Sequence, residues 1–140
     1  VENVMEKQAV PLRRGRDAEF PYRIGDLARE FDVTLRTLRF YEDKRLLRPK
    51  RQGTTRLYSE LDRAKLKLIL MGKKVGFALS EIKQLLAMYD FDGDQYTDLP
   101  AVKEMFVSQL SAMQQQQKDI ATAVKELEEG IAGVEAQMAD

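Results

Sequence analysis

The chain has 140 residues, 23 Lys/Arg and 23 Asp/Glu, a formal net charge of zero, and neither Cys nor His. That length holds one domain, or one small domain plus an extension. The missing thiols and imidazoles exclude disulfides, iron–sulfur clusters, Cys/His zinc sites and most general-base chemistry near neutrality, so no metal, no cofactor and no enzymatic activity are expected.

The neutral total hides an asymmetry. Residues 20–74 carry fifteen Lys/Arg against seven Asp/Glu, whereas residues 75–140 carry four against twelve. A basic block followed by an acidic one suggests two separate jobs, the first a candidate for nucleic acid. No apolar run is long enough to span a bilayer and no signal peptide is seen, so a cytoplasmic protein is expected, with no membrane partner.

Residues 1–20 have no sustained period and are broken by Pro11 and Gly15, which predicts a disordered arm. Arg13, Arg14 and Arg16 there either brush DNA or form a solvated tail. Ile24, Leu27, Ala28 and Phe31 follow i, i+3, i+4, i+7 and predict a short amphipathic helix over Arg23–Phe31. Asp32 sits where the chain must turn, a conformation Asp tolerates. Val33 can drop into the core, and Thr34 is a good N-cap for the next helix. Two short helices so closely joined make a helix-turn-helix.

The second helix, Thr34–Lys44, has two faces. Leu35, Leu38 and Tyr41 are expected in the core. Arg36, Arg39, Phe40 and Asp43 form one stripe opposite. Two guanidiniums one turn apart beside an aromatic ring suit a helix laid against DNA, where Arg grips phosphate or reads guanine. The alternative for the stripe alone is a solvated charged face.

Pro49 forbids a continuing helix, Gly53–Thr54 marks a turn, and Thr55, Leu57 and Tyr58 favour strand. These predict a two-stranded ribbon, Pro49–Arg51 against Arg56–Tyr58, carrying Arg48, Lys50, Arg51 and Arg56 and no acid. A basic ribbon after a helix-turn-helix is a wing suited to phosphate contact. Ser59 and Asp62 form a capping-box-like pair opening another helix, whose expected core face is Leu61, Ala64, Leu68 and Met71, ended between Gly72 and Gly76. Ser80 is the expected cap of the next, with Ile82, Leu85, Leu86 and Tyr89 on its core face.

Residues 91–99 read as an acidic loop. A calcium loop needs Gly at its sixth position and Glu at its twelfth. Counting from Asp90, Gly93 is fourth and Ala101 is twelfth. From residue 100 to 140 one helix is expected, with Pro100 in its first turn. Phe106, Leu110, Met113, Gln117, Ile120, Val124, Leu127, Ile131, Val134 and Met138 alternate steps of four and three. That heptad stripe predicts a coiled coil about 58 Å long, pairing with a second chain. Gln117 is placed to fix register, and Gly130 and Gly133 predict fraying near the end.

The runs YRIGDLAREFDVTLRTLRFYEDKRLL, RLYS and GFALSEIKQLL resemble the MerR family of bacterial transcription regulators over residues 21–89. The resemblance implies a mainly α fold: a winged helix-turn-helix DNA-binding domain over 21–90, followed by the long coiled-coil dimerisation helix. It implies a homodimer on double-stranded promoter DNA at an inverted repeat, distortion of that DNA, and RNA polymerase acting at the same promoter. By position it assigns Arg36, Arg39, Phe40 and Tyr41 to recognition-helix contacts and Arg56 and Tyr58 to wing contacts. With their neighbours Thr34, Thr37, Lys50 and Arg51, these form the expected DNA-binding set. The pattern is similar to the subgroup controlling branched-chain amino-acid and fatty-acid catabolic genes. The chain departs from the family in its wing, QGTTRLY in place of N-G-Y-R-x-Y, and in having Asp32 where a turn Gly is usual. It lacks the cysteines of the family's metal and redox sensors and the large drug-binding domain of its multidrug sensors, so no effector small molecule is named. The competing expectation is an architectural coiled-coil protein that holds DNA without regulating a promoter.

Overall fold

The computed structural model describes residues 19–140; the arm expected over residues 1–20 lies almost entirely outside them. The described chain falls into two units, one ending at Asp98 and the other starting at Leu99. The first is a small helical domain with a three-stranded wing. Strand β1 (Tyr22–Arg23) leads into α1 (Ile24–Phe31), and a short turn leads into α2 (Leu35–Asp43). Strands β2 (Lys50–Gln52) and β3 (Thr55–Tyr58) follow, then α3 (Glu60–Lys74) and α4 (Leu79–Ala87). The sheet order is β1-β3-β2, all antiparallel, with Tyr22 opposite Tyr58 and Arg51 opposite Arg56.

Local chemistry explains most of these boundaries. Thr34 caps α2, its hydroxyl accepting the Thr37 N–H at 3.1 Å. Ser59 and Asp62 complete a reciprocal capping box on α3 at 3.0 and 3.3 Å, and Asp62 also accepts the Arg48 N–H at 3.1 Å. Three helices end alike, with the first non-helical N–H groups turned back onto the last carbonyls. The left-handed residue in these three endings is Asp32 (φ 53°), Arg45 (φ 61°) and Gly76 (φ 87°). Asp32 therefore does what its position in the turn predicted.

The core is built from Leu27, Leu38, Tyr41, Leu47, Tyr58, Leu66, Ile69 and Leu85. Burying each such aliphatic side chain contributes about 1.5–3 kcal/mol. Where α3 crosses α4, a Cβ on Gly72 would stand 2.8 Å from Ile82 Cγ1, so the glycine permits the close approach. Arg63 is buried on α3 and bonds Glu30 of α1 through Nε at 2.9 Å and through Nη2. Its guanidinium also lies 5.9 Å from the Tyr22 and Phe31 ring centres.

Several expectations are corrected. Leu35 is 40% exposed instead of buried, because α2 begins there and its first turn projects past the core. On α3 the buried positions are Asp62, Arg63, Leu66, Leu68, Ile69 and Gly72, while Leu61 is exposed. The core face is rotated toward the capping box and the Arg63 pair, while the helix ends at Lys74, between Gly72 and Gly76 as expected. Ala78, not Ser80, is the N-cap of α4, and Glu81 accepts the Ala78 N–H at 2.8 Å. The acidic stretch is a ribbon, β4 (Tyr89–Asp90) against β5 (Gln95–Tyr96), held by the packing of Tyr89 on Phe91 and Tyr96.

The second unit is one helix, α5 (Leu99–Ala139), 41 residues long and continuous through Gly130 and Gly133. Leu110, Met113, Ile120, Val124, Leu127, Ile131, Val134 and Met138 are exposed along it. Phe106 is half-buried, and Gln117 is exposed within the stripe. Among the described residues, no helix is long and apolar enough to cross a membrane.

Candidate nucleic-acid interface

The core stripe of α2 decides what the helix presents outward. Leu38 and Tyr41 are pinned inside, so Arg36, Arg39 and Phe40 project to solvent, Phe40 with 45% of its surface exposed. Lys44 Nζ stands 5.5 Å from the Phe40 ring centre, placing a third cation beside the stripe. Thr34 is exposed and Thr37 half-buried; their hydroxyls bond each other at 2.9 Å, and the Thr34 hydroxyl is the one that caps the helix.

The wing is tied to this helix by Glu42. Its carboxylate accepts Arg51 Nη2 at 2.8 Å and Arg56 Nε at 2.7 Å. Burial works against the charged carboxylate, but the bonds from Arg51 and Arg56 outweigh it and hold the carboxyl below its usual range. Lys50 is exposed, with its ammonium 5.9 Å from the Phe20 ring centre.

The structure therefore exposes Arg36, Arg39 and Phe40 along α2, and Glu42 of the same helix holds Arg51 and Arg56 of the wing to it, with Lys50 on the same strand as Arg51. It places Tyr41 and Tyr58 elsewhere. Their exposures are 2% and 0%, so both expected contact residues are core residues in the free chain. Tyr41 continues the Leu38 side of α2, and Tyr58 points inward from the end of β3. Burial pushes the Tyr58 phenol up to about 12. Sequence reasoning missed Glu42. The available signal was a wing with four cations and no acid, which needs its countercharge from another element.

A helix-turn-helix whose second helix exposes cations beside a basic antiparallel wing defines a winged helix-turn-helix protein. The family profile described as "MerR HTH family regulatory protein" matches residues 22–89, and that described as "MerR, DNA binding" matches residues 63–130. The chain belongs to the MerR family of transcriptional regulators and carries that family's DNA-binding domain. It is 39% identical over 69 residues to the HTH-type transcriptional regulator ZntR of Escherichia coli (strain K12), covering 48% of this chain and 49% of the relative. The chain thus spans about half the length of that relative. A MerR-family regulator from Bacillus cereus has a similar structure, with TM-score 0.67 and 27% identity over 77% of this chain and 78% of that one. The regulator PbrR691 from Ralstonia metallidurans CH34, solved in complex with lead(II), gives TM-score 0.54 and 27% identity over 75% and 83%.

Proposed function

We propose that the chain is a homodimeric, sequence-specific transcriptional regulator that binds an inverted-repeat promoter site and distorts its DNA. The observation that carries this reading is the outward stripe of Arg36, Arg39 and Phe40 on a helix locked into the core by its other face. A helix so anchored holds its cations at fixed register, which base reading requires and loose phosphate attraction does not. The wing cations Lys50, Arg51 and Arg56 supply the neighbouring phosphate contacts.

The exposed apolar stripe of α5 pairs with a second copy, giving the two-fold symmetry that an inverted repeat mirrors. Two domains fixed by a stiff helix pair have a spacing that the protein sets. Smooth bending of a site costs on the order of 1–6 kcal/mol, which added phosphate contacts offset. RNA polymerase at the same promoter is the partner that such distortion serves. The subgroup likeness directs the search to promoters of branched-chain amino-acid and fatty-acid catabolic genes.

Duplexes enriched from a random library by the full chain test the reading. An inverted repeat should emerge, preferred over unrelated DNA by about 10³ or more. Arg36→Ala should relax one position at a cost of about 1–3 kcal/mol, and Arg39→Ala should weaken all sequences alike. Circular-permutation gel shifts should show a bend at the site's centre. Binding without sequence preference, unaffected by both substitutions, would leave an architectural DNA-binding protein.

A further inference from the structure

The wing contains a conflict that its own strands cannot resolve. Arg51 and Arg56 face each other across the β2–β3 pair. Like charges directly opposite on an antiparallel pair repel. From Arg48 to Arg56 every charged residue is a cation. The compensating charge comes from the recognition helix: the Glu42 side chain, only 14% exposed, accepts a hydrogen bond from each arginine. One carboxylate thus engages both guanidiniums, which are otherwise the natural phosphate ligands of the wing. Arg36 and Arg39 differ from them, since among the described residues no carboxylate within ion-pair distance holds either one.

We propose that Glu42 is a specificity-determining residue: its carboxylate withholds Arg51 and Arg56 from phosphate until α2 is seated in a groove that suits it. The inference rests on the DNA-binding reading above. On unrelated DNA Arg51 and Arg56 stay hydrogen-bonded to Glu42, whose one negative charge offsets one of their two positive charges, and the sequence-independent grip is weakened. At a matching site the seated helix fixes the backbone beside the wing, and two phosphates replace Glu42 as partners. The exchange keeps the number of charge-assisted bonds to the arginines, but it is favourable only where the phosphates are correctly placed. Glu42 acts through the arginines and needs no contact with DNA itself.

The test uses the full chain, a random-sequence duplex, and the inverted-repeat duplex enriched by the wild-type chain, each titrated over a salt series. Glu42→Gln should steepen the salt dependence on random duplex by about one unit of slope per bound domain. It should also tighten that binding about tenfold at the lowest salt, so that the ratio of inverted-repeat to random affinity falls about tenfold. Glu42→Asp, with its shorter reach, should fall between. Arg51→Gln provides an arm that does not depend on the folding of the Glu42 variants, because Arg51 is an exposed wing residue. In the wild-type background it should flatten the slope on the inverted repeat by about one unit and the random-duplex slope by clearly less, since on random duplex the Arg51 guanidinium stays bonded to Glu42. The inference is overturned if Glu42→Gln keeps the wild-type slope and ratio, or if Arg51→Gln flattens the random-duplex slope as much as the inverted-repeat slope. Absence of any salt-dependent binding by the wild-type chain would instead remove the DNA-binding reading on which the inference rests.

Discussion

Glu30 on α1 and Arg63 on α3, far apart in sequence, close an ion pair at 2.9 Å that joins the first helix of the domain to the helix after the wing. Arg63 is nearly inaccessible, whereas Glu30 keeps contact with solvent. A buried guanidinium stripped of its carboxylate costs more than the pair ever gains, because its desolvation is no longer offset. Glu30→Ala should lower unfolding stability by about 3 kcal/mol, measured by urea denaturation. A loss below about 1 kcal/mol would mean that the other contacts of Arg63, the Tyr22 and Phe31 ring faces among them, sustain the charge.

The Glu42 clamp makes stability depend on acid. Its carboxyl is held below the ordinary value of 4.5 in the folded chain. A group with a depressed folded pKa contributes stability that is present above the unfolded value and lost as pH falls through the folded one. The difference in stability between the wild type and Glu42→Gln should therefore be constant above about pH 5.5 and shrink below about pH 4.5. Denaturation of both proteins at pH 7 and pH 3 checks this; a difference that grows on acidification has the wrong sign.

The left-handed residues closing α1 and α2 are Asp32 and Arg45, where the third such ending uses Gly76. This conformation costs a long side chain about 1–2 kcal/mol, and glycine's greater unfolded freedom returns about 0.4–1. Arg45→Gly should stabilise by about 0.5–1 kcal/mol. Asp32→Gly should gain less, since a short polar side chain tolerates the region better. Thermal melts of both variants decide the order, and a destabilised Arg45→Gly would point to a contact of that side chain outweighing its backbone strain.

The stripe on α5 predicts what charge does to assembly. Ile120 and Leu127 are 63% and 68% exposed in the single chain. As core positions of a coiled coil, they make Ile120→Lys or Leu127→Lys bury an ammonium in the seam between the helices. Each should shift sedimentation of the full chain from dimer to monomer at micromolar concentration. The same substitution at Glu128, off the stripe, should leave the dimer intact. A dimer indifferent to both stripe substitutions would place the interface elsewhere.

The sequence determined by itself what short-range pattern can specify. Helices α1, α2 and α5 follow from apolar residues that recur within one or two turns, and Asp32, Thr34 and Ser59 mark the end of α1 and the starts of α2 and α3 through bonds to neighbours three or four residues away. Such signals need no knowledge of the rest of the fold. The outward stripe Arg36, Arg39 and Phe40 was legible for the same reason, being the complement of a core face on one helix.

Only the tertiary structure decided the rest, because it depends on partners far along the chain. Strand β1 is two residues long, too short to carry a period, and exists by pairing with β3. Arg63 and Asp62 look like surface residues until Glu30 and the Arg48 N–H arrive to satisfy them, and that satisfaction turns the core face of α3. Tyr41 and Tyr58 carry a polar tip that the sequence cannot place; packing buries both rings. Glu42 reads as one more acid on a charged helix, and it acquires its role only when a basic hairpin folds back to within 2.8 Å of it.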